Sequence, residues 1–222
     1  MRVVTGEAKG RKLKAPKTMG TRPIIDRVKT ALFDILADEV DEARFLDLFG
    51  GTGSVGIEAL SRGATQATFI EMNYPVLKLL RENLAITRLA DRAETLHGDS
   101  FKFLQNYQPQ PIEQSKPQKS AFIGGSRQRS YDIIYVAPPQ YMEMAAKALA
   151  LIDSSTLLAD PGLVIVQIHP KERAGVAAIQ CERLVLSDER RYGSTLLMFY
   201  RTRESTVEEP EDAGSEGSMS RK

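Results

Sequence analysis

The sequence predicts an α/β fold: a doubly wound sheet of seven strands, the last two forming an antiparallel pair. Three observations lead there. Short β-rich apolar runs alternate with segments of helical period. A glycine-rich turn, Gly50-Gly51-Thr52-Gly53-Ser54-Val55-Gly56, follows the first core run, and an acid, Glu71, closes the next. The last two β-rich runs have no helix between them, so they read as a hairpin that closes the sheet.

Each element has its own justification. Residues 1–24 form a basic, short β or extended arm, with Val3-Val4 and Lys12-Leu13 flanking a glycine-containing turn. From Asp26 onward, Val28, Leu32, Ile35 and Leu36 fall at helical spacing, which predicts an amphipathic helix over 26–38. Residues 45–49 are the first core strand and 54–61 the helix after it. Residues 67–70 are the second strand. The helix over 75–85 draws its apolar face from Val76, Leu77, Leu79, Leu80 and Leu84. Residues 93–96 are the third strand, ending at Gly98-Asp99, and 131–136 the fourth, the richest in β-formers. A helix over 142–152 and a fifth strand over 163–168 follow. Residues 184–186 and 195–200, joined by Arg190-Arg191-Tyr192-Gly193, are the closing pair. One folded domain is expected over 25–202. Within it, residues 105–130 are rich in Gln, Pro, Ser and Lys and read as a flexible insertion. Residues 203–222 are a polar, acidic tail with too little apolar surface to order.

Composition sets bounds. The 222 residues, 42% hydrophobic and 27% charged, suit a soluble globular chain with one main core. The single cysteine, Cys181, excludes an internal disulfide framework and fits a reducing compartment. No apolar run reaches the length of a membrane span, and the first twenty residues lack a signal-peptide core, so a cytoplasmic, monomeric protein is expected. His97 and His169 lie 72 positions apart with no cysteine nearby, which argues against a metal site. The net charge of +1 conceals an asymmetry: residues 1–30 hold nine bases against two acids. Such an arm is an electrostatic footprint for a polyanion, and Arg2, Lys9, Arg11, Lys12, Arg22 and Arg27 are its candidate RNA contacts. A solvated surface segment is the plainer alternative.

The glycine turn alone also fits a dinucleotide fingerprint, and with it a nicotinamide oxidoreductase. Asp47 decides against that reading. It ends the first strand just before the glycines, where its carboxylate would repel a pyrophosphate but attract an ammonium and a sulfonium. The ligand it suits is S-adenosylmethionine. Asp47 with Gly50, Gly51 and Gly53 would hold the methionine end, the glycines leaving room for close approach. Glu71, followed by Met72, would take both ribose hydroxyls. Asp99 would accept from the adenine amine, with Ser100 and Phe101 lining the ring.

The fourth strand runs into Ala137-Pro138-Pro139-Gln140-Tyr141. Adjacent prolines remove two backbone donors and leave carbonyl oxygens facing outward. Such acceptors suit a planar exocyclic amine, whose lone pair must be released from the ring before it can attack a methyl group. Tyr141 is placed to stack on the base.

These residues bring the chain to a family. It resembles the bacterial small-subunit (16S) ribosomal RNA guanine-N2 methyltransferases, class I S-adenosylmethionine enzymes. The resemblance covers residues 1–105 and 131–200. It rests on Arg2-Val-Val-Thr-Gly-x-x-x-Gly-Arg-Lys-Leu13, Arg22-Pro-x-x-Asp-Arg-Val28, Asp47-Leu-Phe-Gly-Gly-Thr-Gly-Ser-Val-Gly-Ile-Glu-Ala-Leu-Ser-Arg-Gly63 and the Pro138-Pro139 turn. It implies a seven-stranded class I methyltransferase sheet, and guanine in ribosomal RNA, within a small-subunit particle, as the target. One departure stands out. The family pattern at the fourth strand is Asp-Pro-Pro and an aromatic, whereas this chain has Ala137-Pro138-Pro139-Gln140, with Tyr141 one place later. The neutral carbonyls near Ala137 and Pro138, and the Gln140 amide oxygen, are what remain to accept from the amine. An RNA binder without turnover, or a methyltransferase for another amine, is the alternative that Ala137 raises.

Overall fold

The computed structural model describes residues 1–16, 24–107, 130–140 and 143–203. The expected sheet is present. Its strands are β1 (Arg44–Asp47), β2 (Gln66–Glu71), β3 (Ala93–His97), β4 (Tyr131–Val136), β5 (Leu158–Ile168), β6 (Leu184–Tyr192) and β7 (Thr195–Thr202), in the order β3-β2-β1-β4-β5-β7-β6. The first five run parallel, while β7 lies antiparallel to both β5 and β6. The order reverses between β1 and β4, and in such sheets the crevice at the strands' carboxyl ends is where ligands bind.

Two helical layers cover the sheet. On one face α1 (Asp26–Leu36), α2 (Ser54–Ser61), α3 (Tyr74–Thr87) and the arm pack around Phe45, Phe69, Tyr135 and Ile165. On the other, α4 (Ser100–Gln105), α5 (Met144–Asp153) and α6 (Arg173–Ala177) cover Leu46, Ile134, Val164 and Met198. Buried parallel strands are apolar on both faces, which is why their runs read as continuous rather than alternating.

Several boundaries differ from the expectation. α1 stops at Leu36, and a tight 3-10 turn, Ala37–Val40, replaces its last residues. β5 begins at Leu158, because the strand continues through the turn-forming residues Asp160-Pro161-Gly162 with a register shift against β4. The hairpin turn is shorter than expected: Arg190, Arg191 and Tyr192 are still paired in β6, opposite Leu197, Leu196 and Thr195. The 105–130 segment and the acidic tail lie mostly outside the described residues, so neither expectation meets the structure.

Arm and core form one unit. Arg2 bridges to Lys12, and Val3, Ala8 and Leu13 are buried. The anchor is Glu58 on α2, wholly buried. Its carboxylate accepts from the backbone of Val4 and Thr5 at 2.8 and 2.9 Å, pairs with Lys29 Nζ at 3.2 Å and accepts from Arg62 Nε at 3.1 Å. A buried charge survives only when its lone pairs are taken in this way. Burial pulls the Lys29 ammonium below its usual range, with Glu58 pulling the other way.

Candidate active site

Asp47 closes β1 with its side chain beneath the start of α2. It is 2% exposed. Oδ2 accepts from Gly56 N at 3.3 Å, whereas Oδ1 has no hydrogen-bond partner among the described residues. Burial pushes the carboxyl up to about 7, against the Gly56 N–H and aided by the Glu71 charge. A buried acceptor left open is costly unless a donor arrives. An ammonium group supplies that donor, and the opposite charge favours the ionised carboxylate. On this point the residues fit S-adenosylmethionine.

The glycine amides have partners within the protein. Gly51 N donates to Glu71 Oε2 at 2.9 Å, Gly53 N to the Gly50 carbonyl at 2.7 Å, and Gly50 N to the Ile70 carbonyl at 2.8 Å. These amides are turned inward and shape the loop. Gly53 sits at φ +81, and a Cβ there would meet Ile57 Cδ1 at 2.9 Å. Gly56 is required by close packing of α2 on β2: its Cβ would lie 2.3 Å from the Phe69 ring. Gly53 and Gly56 thus preserve packing inside the protein, while a Cβ at Gly51 would meet nothing closer than the Phe49 carbonyl at 3.8 Å.

Glu71 draws the loop onto β2, since its Oε1 also accepts from Asn73 N at 2.6 Å. Each oxygen keeps a second lone pair for a hydroxyl donor. Met72 beside it is 67% exposed and open for contact. Asp99 serves as the N-cap of α4, its Oδ1 accepting from Phe101 N at 2.8 Å and Lys102 N at 2.9 Å. Ser100 is buried, and its hydroxyl donates to the Leu48 carbonyl at 2.5 Å, which pins α4 to the end of β1. Phe101 meets Phe49 edge-on at 6.1 Å, with Lys147 Nζ 4.7 Å from its ring centre.

Across the switch point stands the exit of β4. Asp47 and Tyr135 are register partners. Ala137 packs against the core, Pro138 and Pro139 are half-buried, and Gln140 is exposed. Tyr141 lies outside the described residues. Sequence reading missed Tyr135 and Gln167: the Tyr135 hydroxyl donates to Gln167 Oε1 at 2.6 Å. The available signal was a glutamine interrupting the apolar run of β5.

The candidate RNA contacts divide. Arg2, which pairs with Asp26 at 3.5 Å, and exposed Arg27 lie by the first turn of α1, near the carboxyl edge. Lys12 is exposed beside Arg2. The arm's turn carries Lys9 to the opposite edge, where Ala8 N donates to Ser61 Oγ at the end of α2. Arg11 donates to the Ile86 and Thr87 carbonyls, satisfying the C-terminus of α3. Arg22 lies outside the described residues.

Comparison with known proteins places this geometry. A family model described as "Conserved hypothetical protein 95" matches residues 1–201. The chain belongs to this family. Ribosomal RNA small subunit methyltransferase D of Escherichia coli is 34% identical over 167 residues, covering 75% of this chain and 74% of the relative. The solved structure of Escherichia coli yhhF, described as a candidate methyltransferase, is 29% identical with a TM-score of 0.71, covering 91% and 97% of the two chains. An RNA methyltransferase from Salinibacter ruber, solved with S-adenosyl-L-homocysteine, shares the fold at a TM-score of 0.56 and 15% identity, covering 85% of this family member and 98% of that chain. The expected fold class and family are borne out, and the S-adenosylmethionine cofactor agrees with both the likenesses and Asp47. No helix among the described residues is long and apolar enough to cross a membrane.

Proposed function

We propose that this protein methylates the exocyclic N2 amine of a guanine in small-subunit ribosomal RNA, in the cytoplasm and as a monomer. The observation that carries the reading is the pairing, across the β1/β4 switch point, of a buried carboxylate with one open oxygen and a proline-stiffened strand exit. Asp47 would hold the ammonium, Glu71 the ribose, and Asp99 with Ser100 the adenine end. S-adenosylmethionine supplies an electrophilic methyl group on a sulfonium. The carbonyls beside Pro138 and Pro139 would accept from the amine, and Arg2, Lys12 and Arg27 would neutralise phosphates nearby. The name and coverage of the Escherichia coli small-subunit relative support ribosomal RNA as substrate.

The test is incubation with unmodified small ribosomal subunits and radiolabelled S-adenosylmethionine, then nucleoside analysis. Labelled N2-methylguanosine is expected; label in another nucleoside would overturn the target. Ala137 favours one second reading, an RNA binder without turnover. If neither the natural chain nor Ala137→Asp transfers label, that reading replaces the first.

A further inference from the structure

At the exit of β4, Ala137 offers no polar side chain where an amine acceptor is needed. The neighbouring strand does. β4 and β5 run parallel with Val136 opposite Val166, so one residue further along each strand Ala137 stands beside Gln167. The two share a sheet face: Tyr135 packs in the core layer that Ala137 touches, and its hydroxyl reaches Gln167 Oε1 at 2.6 Å. Val166 and Ile168, on either side of Gln167, are buried on the opposite face. Gln167 itself is half-buried at the carboxyl edge of the sheet.

A carboxamide oxygen has two lone pairs, and Tyr135 takes one. We infer that the other accepts an N–H of the target amine, so that Gln167 replaces the acceptor missing at position 137 and Tyr135 is its positioning residue. This rests on the guanine-N2 reading above. Burial raises the Tyr135 phenol well above its ordinary range, so it keeps the proton that it donates to Gln167 Oε1. In the transfer, the N2 lone pair attacks the methyl carbon. The carbon–sulfur bond breaks with its electron pair going to sulfur, and the surplus proton on nitrogen leaves to water. Gln167 orients the amine and takes no proton, since a neutral amide is not a base.

The test compares the natural chain, Gln167→Ala, Gln167→Glu, Tyr135→Phe and the double variant Gln167→Ala/Ala137→Asp. Turnover is measured on unmodified small subunits, and S-adenosylhomocysteine affinity by calorimetry. Gln167→Ala should lose about tenfold in kcat, the worth of one neutral hydrogen bond, with KM for subunits and S-adenosylhomocysteine affinity unchanged. Gln167→Glu should keep at least the natural rate, the double variant should recover it, and Tyr135→Phe should lose less than Gln167→Ala. Natural kcat in Gln167→Ala overturns the inference, as does loss of S-adenosylhomocysteine binding in step with turnover. A natural chain that labels no guanosine sinks the parent reading and this one with it. Turnover indifferent to Gln167 sinks this one alone.

Discussion

Asp47 shows what a single residue sacrifices for a ligand. Its carboxyl titrates near 7 in the fold, against an ordinary value of 3.8. The unfolded chain therefore releases this proton first, and the fold loses stability as pH rises from about 4 through 7. Asp47→Asn should accordingly melt several °C higher than the natural chain at pH 8, with the gap closing at pH 4, while S-adenosylhomocysteine binding is lost. Calorimetric scans at the two pH values check this. In the natural chain the same proton must leave before an ammonium is held, so cofactor affinity should rise about tenfold from pH 6 to pH 8. A flat profile would mean that Asp47 makes no contact with the charged end. Sequence alone places Asp47, Glu71 and Asp99 at successive strand ends. A helix-cap role for Asp99 is legible too, since Asp is a favoured N-cap residue, but the sequence does not reveal that Glu71 is already clasped by Gly51 and Asn73. Those partnerships depend on backbone N–H groups, which carry no residue-type signature.

Among the elements, the arm departs most from its composition. Its bases suggest a polyanion, but its backbone is spent on the core: Val4 and Thr5 on Glu58, Ala8 on Ser61, Lys14 on Asn83. Glu58→Gln would leave the buried Lys29 ammonium without its counter-charge. Losing one partner of a buried pair costs about 3–5 kcal/mol, so the melting temperature should fall by about 10 °C. A fall under 2 °C would show that the cluster does not anchor the arm. The strands and long helices were legible because continuous β-rich apolar runs and 3.6-residue periodicity are local properties. The extra length of β5 and β6 was not, since pairing with β4 and β7 extends a strand through Pro and Arg residues that look like turn.

For the whole molecule, charge is distributed less simply than a count suggests. Of the bases assigned to RNA, Arg11 satisfies a helix end and Lys9 faces the far edge, which among the described residues leaves Arg2, Lys12 and Arg27 by the first turn of α1. Changing Arg2 and Arg27 to Ala together should lower the slope of log affinity against log salt by about 2, whereas Lys9→Ala should leave it unchanged. Filter binding to small-subunit RNA across a salt series decides this, and equal effects would return the whole arm to the interface. The candidate site was legible where motif and strand end coincide, and hidden where β5 contributes Gln167 from thirty positions beyond Ala137. The arm's anchoring also sets an order of events in synthesis. Its backbone contacts reach 53, 54 and 69 residues ahead along the chain. At about 5–20 residues per second, those partners emerge from the ribosome several seconds after the arm. Throughout that interval the basic segment stays undocked, its charges open to whatever polyanion is nearby.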